Sequence, residues 1–509
     1  MSATYMLFSV VKGLVFSVFV STSLTASAQR PEAIKGKVEL ASFSSNLPLV
    51  LIDTEQPVGP QKKVRAKMKV VNHMDEGRRN MASDTSCVYD GYIGIKLRGN
   101  SSLSFEQKKY TIETQDAEGN GLKVRLLGMP SESDWVLLAP YNDISMLRDV
   151  FAFSLWREMG YWAPRTRLCE VLVDGVYQGV YVFSEKIKRD NDRVDITKMT
   201  ETDVRGRDVT GGYIVRVDAF DDHDLTFTSK VKGLVDSGGP MGFGGFDPWP
   251  GMQPNTTVTW TICYPKKKKT QPEQKAYIQN FVDSMEFSFQ HHDPSNPKTG
   301  YAKWIDIPSF VDYFIHTELS LNADGFKRSA YFYKDRDLDD GSVSKMKAGP
   351  VWDYNLAYGN CNFCNANNTE AWVYDGCSTN PTPEFWSILA HDRAFMKKVC
   401  RRYAELRRTV ISLDSIDAFL DEYANLLSEA KDRHFRRYSN LLSDGRSLGG
   451  WGWPVMGQNM NPVAFFAAYQ VQSYEQEIQA LKHWFRQRIA FLDKHWGYEV
   501  RPSNSGTGH

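Results

Sequence analysis

The chain has 509 residues, enough for two or three domains or one large body with a sizeable core. Lysine plus arginine and aspartate plus glutamate both total 61, so bulk charge gives no reason to expect nucleic acid or an anionic membrane as the general partner. An aromatic content of 13% with 22 prolines suits an ordered protein with many shaped loops better than a disordered one.

At the N-terminus Lys12 precedes the apolar run "GLVFSVFV", and Ala26 to Ala28 ("ASA") offer small residues ahead of Gln29. This is the pattern of a signal peptide over 1–28, which predicts a secreted, periplasmic or cell-surface mature chain. No later stretch is apolar over the roughly 18 residues a membrane span requires, so no span is expected after cleavage. From 47 to about 116 the runs "LPLVLIDT", "KVRAKMKVV", "YIGIKLRG" and "KKYTIETQD" predict an antiparallel sheet with Gly, Asn and Asp turns. Between two of these strands "LRGNSSLSFEQKKYTIE" sets Gly99, Asn100, Ser101 and Ser102 in a turn, followed by Lys108 and Lys109. Backbone N–H groups, hydroxyls and a lysine charge suit an anion, and a plain hairpin turn with surface lysines is the alternative. "ISMLRDVFAFSLWREMGY" predicts an amphipathic helix stopped by Gly160, and "CEVLVDGVYQGVYVFSEKIK" a hairpin turning at Asp174-Gly175.

Beyond "TGGYIVRVD" the stretch "KGLVDSGGPMGFGGFDPWPGMQP" reads as a long loop, and "YPKKKKTQ" as a solvated charge run. From Glu273 the pattern is helical, through "KAYIQNFVDSMEFSFQ", "PSFVDYFIHTELSLN", "FMKKVCRRYAELRRTVI", the single run "SIDAFLDEYANLLSEAKDRHFRRYSNLL" and "SYEQEIQALKHWFRQRIAFLDKHW". The expected organisation is α+β: a β-rich lobe with one helix over 29–190, a mainly helical lobe over 191–500, and a disordered tail over 501–509. A cleft between two lobes is where a ligand is expected. Of seven cysteines, Cys361, Cys364 and Cys377 cluster without a nearby His, so a loop-pinning disulfide is favoured over zinc in an exported chain.

Two acids stand out in the second half. Asp324 lies in a turn within "LNADGFKRSAYFYKD", after a helix and before a strand-like "SAYFY". Asp353 lies in "GPVWDYNLAYGN", residues 349–360, where apolar neighbours raise the cost of carrying a charge. Acids at the ends of adjacent strands can converge on one metal or one hydroxyl. The order of phosphate turn and lysine, helix, hairpin, base acid and metal acid is the order of parts in a protein kinase.

Taken together, "YDGYIGIKLRGNSS", "KKYTIET", "LLGMPSESDWVLLAPYNDISMLRD", "APRTR", "GVYQGVYVFSEKIKRDNDRVDI", "TGGYIVRVD", "NADGFKRSAYFYKD" and "GPVWDYNLAYGN" resemble the CotH kinase family, the spore-coat H type of secretory kinase-like proteins, over roughly 45–495. The resemblance implies a two-lobed atypical protein-kinase-like fold and transfer of the γ-phosphate of ATP, with Mg2+ or Mn2+, to a Ser, Thr or Tyr hydroxyl of a protein. By position, Lys108 matches the nucleotide lysine better than Lys109, Asp324 the catalytic acid and Asp353 the metal acid. Gly99, Asn100, Ser101 and Ser102 match the phosphate turn, and Glu185 falls where a kinase chain crosses between lobes beside the adenine edge. Arg148 and Asp149 pair with the lysine and phosphates or form a helix-start ion network. Ser329 stands where many relatives have a metal-holding Asn, and Asn355 where many have a second acid, which implies weaker or single-metal binding. The other reading is therefore a weakened pseudokinase that binds an extracellular glycan or protein through "GFGGFDPWPG" and "GGWGWPVMG". A two-carboxylate glycosidase leaves the lysine and the Gly-Asn-Ser-Ser turn unexplained.

Overall fold

Alternation of apolar and polar residues, with Val64, Ala66, Met68 and Val70 all buried along one strand, gives the first half a single inward face. The computed structural model describes residues 34–234, 256–291, 296, 298–361, 364–374, 381–439, 441–442 and 471–499. The expected signal peptide, the tail over 501–509 and both aromatic loops of the glycan reading lie outside the described residues. The chain divides into Met1–Glu32 and Ala33–His509, and everything described belongs to the second unit.

The inward face closes on itself. Strands β2 (Leu49–Thr54), β3 (Val64–Val71), β5 (Tyr89–Arg98), β6 (Lys109–Gln115), β7 (Asp134–Leu138), β8 (Thr166–Val173) and β9 (Val176–Glu185) form a barrel in the order β2-β3-β5-β6-β7-β9-β8, with β1 (Ser44–Ser45) and β4 (Asn80–Met81) paired beside it. Every barrel pair is antiparallel except the closing one, where β2 runs parallel to β8 from Leu49 opposite Glu170 to Ile52 opposite Val173. The sequence predicts a sheet and not its closure, because alternation tells which face is buried and not which strand is the distant partner. The Asp174-Gly175 hairpin forms as expected, with both residues at positive φ (51° and 76°) as the tight turn demands.

Strands β7 and β9 are apolar on both faces. Trp135, Leu137, Tyr181 and Phe183 fill the barrel, while Val136, Leu138, Val180 and Val182 join a second core outside it. Against that outer face packs α1 (Arg148–Glu158), buried nearly all round through Val150, Phe151, Phe153, Leu155 and Trp156 rather than amphipathic. The second core continues without interruption from Leu47 to Trp496, so residue 190 falls inside one packed body.

The second half carries α2 (Pro272–His291), α3 (Ile307–Ser320), α4 (Phe385–His391), α5 (Arg393–Arg407), α6 (Leu413–Leu426), α7 (Ala430–Arg437) and α8 (Tyr474–Trp496). It also holds a five-stranded antiparallel sheet in the order β11-β12-β10-β13-β14, made by β10 (Tyr213–Val217), β11 (Thr226–Lys232), β12 (Thr257–Tyr264), β13 (Ala330–Lys334) and β14 (Lys347–Ala348). The expectation of a mainly helical second half leaves out β11, mostly polar and half-exposed, and β12, whose Val258, Trp260 and Ile262 are buried; the long loop expected between them lies mostly outside the described residues. Among the described residues no helix is long and apolar enough to cross a membrane.

Candidate functional site

Each acid of the site sits where a regular element stops. Helix α3 ends at Leu321 in the left-handed conformation (φ 44°), and the turn that follows carries Asp324. That turn lies tight on α3: the Tyr313 hydroxyl donates to the Gly325 carbonyl at 2.7 Å, and a Cβ on Gly325 would stand 2.5 Å from Thr317. Strand β10 runs out opposite the start of β13, with Val217 facing Ala330, so the next residues along, Asp218 and Ser329, meet: the Ser329 hydroxyl donates to Asp218 at 3.4 Å. Beyond β14 the chain turns through Gly349, held by its N–H to the Tyr331 carbonyl, and delivers Trp352 and Asp353.

Asp353 itself has φ 65°, uncommon for a residue with a side chain, and its carboxylate is 46% exposed. The apolar residues around it are anchors. Trp352 stacks on Phe153 of α1 with ring centroids 5.6 Å apart, and Tyr354 meets His316 of α3 edge-on at 4.8 Å. Asp149 of α1 accepts the Tyr354 N–H at 2.6 Å, fixing the backbone one residue beyond Asp353. Further along, Arg148 donates to the carbonyls of Ala357 and Tyr358, and the Tyr358 N–H to the Ser320 carbonyl. The segment is thus held by α1 and α3 together while one carboxylate stays accessible.

Facing it, Lys109 at the start of β6 places its ammonium 3.6 Å from an Asp353 oxygen. Lys108 does not face it: its ammonium donates to the Leu103 carbonyl at 2.7 Å. Strand parity is the reason. Lys108 shares parity with Tyr110 and Ile112, which point into the barrel core, whereas Lys109 points outward to α1 and the Asp353 segment.

The acids feel one another. Burial first, and then the charge of Asp353, raises the pKa of Asp149; burial and Asp353 also raise Asp218 and Asp324 against the opposing pull of Arg216 for the one and of Lys327 and Arg328 for the other. Asp149, Asp218, Asp324 and Asp353 therefore share one electrostatic neighbourhood. Among the described residues no three His, Cys, Asp or Glu side chains form a ready metal cage. Mg2+ commonly takes one or two protein carboxylates and completes its shell with phosphate oxygens and water, and the exposed carboxylate of Asp353, a hard oxygen donor, fits that requirement.

The family described as CotH kinase protein matches residues 95–492. The chain belongs to the CotH kinase family. No curated protein matches it. The matched span opens inside β5 and contains every residue of the site just described.

The other residues expected at the site of this CotH-family chain are placed as follows. Gly99 (φ 118°) and Asn100 are exposed between β5 and a single 3-10 turn over Ser101–Ser104, and a Cβ on Gly99 would collide with the Ser102 hydroxyl. Glu185 is fully buried and its carboxylate accepts from the Arg165 side chain at 2.9 Å through both oxygens, in an ion pair within the fold. Arg148 belongs to a buried network with Asp143 (2.5 Å) and Glu477 (2.8 Å), while its neighbour Asp149 reaches the Asp353 segment. The Asn355 amide donates to Asn142 at 2.9 Å, and Ser329 is engaged with Asp218 as above. Residues not anticipated are Asp218, Arg216 (3.4 Å from Asp218) and Arg98, whose guanidinium lies 5.1 Å from the Trp352 ring centroid. Asp218 was signalled by its place at the end of "TGGYIVRVD", and Arg98 by its place just before the Gly-Asn turn.

Proposed function

We propose that this CotH-family chain is an exported kinase that transfers the γ-phosphate of ATP to a Ser, Thr or Tyr hydroxyl of a protein, with Mg2+ or Mn2+ as cofactor. The observation that carries the reading is the 3.6 Å approach of Lys109, from the barrel, to Asp353, from the end of the β10–β14 sheet, with Asp324 within the field of the same carboxylate. In this reading the barrel is the nucleotide lobe, the sheet and helices are the acceptor lobe, and the nucleotide lysine is Lys109 in place of Lys108. Lys109 would give a compact charge to the nucleotide phosphates, and Asp353 would hold the metal. When bound, the divalent cation neutralises charge on the transferred phosphoryl oxygens. Asp324, whose pKa burial raises, accepts the acceptor hydroxyl proton as the new oxygen–phosphorus bond forms and the bond to the β-phosphate breaks, releasing ADP. Cys364 is disulfide-bonded, which fits an oxidising compartment and the signal expected over 1–28.

The side-chain partners of Asn355 and Ser329 support a second reading. With Asn355 turned to Asn142 and Ser329 to Asp218, neither adds a charged ligand beside Asp353, as expected of a nucleotide-binding relative that turns over weakly or not at all. Incubating the mature protein with γ-labelled ATP, Mn2+ and dephosphorylated casein separates the two. Label incorporated by the parent and lost in Asp324→Ala supports the kinase; nucleotide binding without label in any protein supports the second reading.

A further inference from the structure

Arg98 is the last residue of β5 and lies directly opposite Lys109, the first of β6, in the antiparallel register. Cross-strand partners project to the same face with Cβ atoms roughly 5 Å apart, and like charges so placed repel. Lys109 is balanced by Asp353 at 3.6 Å; among the described residues no carboxylate forms an ion pair with Arg98, which feels Asp353 and Asp149 only through their longer-range charge. Its guanidinium lies 5.1 Å from the ring centroid of Trp352, the residue next to Asp353, and its Nη1 is shielded from solvent without a hydrogen-bond partner. A buried guanidinium nitrogen without an acceptor is costly, and a stacked guanidinium is fixed in direction, its planar fork suited to phosphate oxygens.

We propose that Arg98 and Lys109 form a two-pronged clamp for the polyphosphate of the nucleotide, with Arg98 supplying the fork and Lys109 the point charge. The clamp deepens the kinase reading and rests on it for the identity of the ligand, though not for the anion chemistry. Trp352 couples the two halves of the site, because its ring supports the Arg98 guanidinium while its backbone leads into Asp353.

The test is binding, read by titration calorimetry with ATP, AMP and sodium tripolyphosphate on the parent protein, Arg98→Gln and Arg98→Lys. Loss of a charged, hydrogen-bonding phosphate contact is expected to weaken ATP and tripolyphosphate binding to Arg98→Gln about 10- to 100-fold. The preference for ATP over AMP should fall by about tenfold, since only the polyphosphate is gripped. Arg98→Lys, which keeps the charge and loses the fork, should fall between Arg98→Gln and the parent. A structural role would weaken ATP and AMP alike and leave their ratio unchanged, and that result overturns the clamp whether or not the kinase reading stands. Tripolyphosphate binding by the parent that depends on Arg98, without any preference for ATP, keeps the clamp and removes the nucleotide reading. No binding of any of the three ligands by the parent overturns both.

Discussion

A side chain in the left-handed region, as at Asp353, is retained where the surroundings over-determine it, and here the surroundings are the Trp352 stack, the Asp149 bond to the next N–H and the Lys109 ammonium. The result is a carboxylate that is held in place and still exposed. Lys109 and Lys108 are adjacent in sequence and opposite in direction, so they make a matched pair for mutagenesis. Lys109→Met is expected to weaken ATP binding about tenfold or more, because a charged phosphate contact is lost. Lys108→Met should leave binding within about twofold and cost only the local bond to Leu103. Calorimetric titration of the two variants decides it, and equal losses would contradict the parity argument.

At the scale of elements, α1 is the strut that aligns the barrel with the Asp353 segment, and its first turn is fixed by the buried Arg148 network with Asp143 and Glu477. Arg148→Met leaves two buried carboxylates short of their cation and should cost about 3–5 kcal/mol by denaturant titration. A second element-level prediction concerns α2 against the sheet. Glu286 is buried and accepts from Ser229 at 2.8 Å and Trp260 at 3.3 Å, and desolvation pushes its pKa up from 4.5 to about 7. A raised acid binds more protons folded than unfolded between those values, so its contribution to stability is full below about 4.5 and falls as pH rises through about 7, by roughly 3 kcal/mol at most. Glu286→Gln should flatten the melting temperature against pH across that window and raise it at pH 8; an unchanged pH profile would exclude Glu286 as the cause. Sequence was a fair guide to these elements. Apolar periodicity announced α2, α3, α5 and α8, and Asp-Gly announced the β8–β9 turn. It missed β11, whose half-exposed polar residues carry little pattern, and β12, a strand in which buried Val258, Trp260 and Ile262 alternate with threonines beside the Lys266–Lys269 run. It also joined α6 and α7, which separate at Leu427 although the apolar spacing continues.

Across the whole molecule, one core links the barrel to the helices, because β7 and β9 are apolar on both faces. A fragment of residues 34–190 would expose Val136, Leu138, Val180 and Val182 together with α1, and is expected to aggregate or bind a hydrophobic dye where the full chain does not. Monomeric, dye-free behaviour of the fragment would contradict the shared core. The acids of the site were legible as residues, since an Asp among aromatics and an Asp in a turn before a strand are local signals. Their meeting was not, for it depends on three strand ends and two helices that come together only in the fold, and the choice between two lysines depends on which face of β6 looks into the barrel. The central claim, that Asp353 and Lys109 face each other across a metal–nucleotide site, is tested most directly by the melting temperature of the mature protein with ATP, with Mn2+ and with both, for the parent, Asp324→Ala and Asp353→Ala. The account predicts that the parent is stabilised most by the pair of ligands together. It predicts that Asp324→Ala keeps most of that increment and that Asp353→Ala loses the Mn2+-dependent part of it. An equal Mn2+-dependent increment in the parent and in Asp353→Ala would contradict the account.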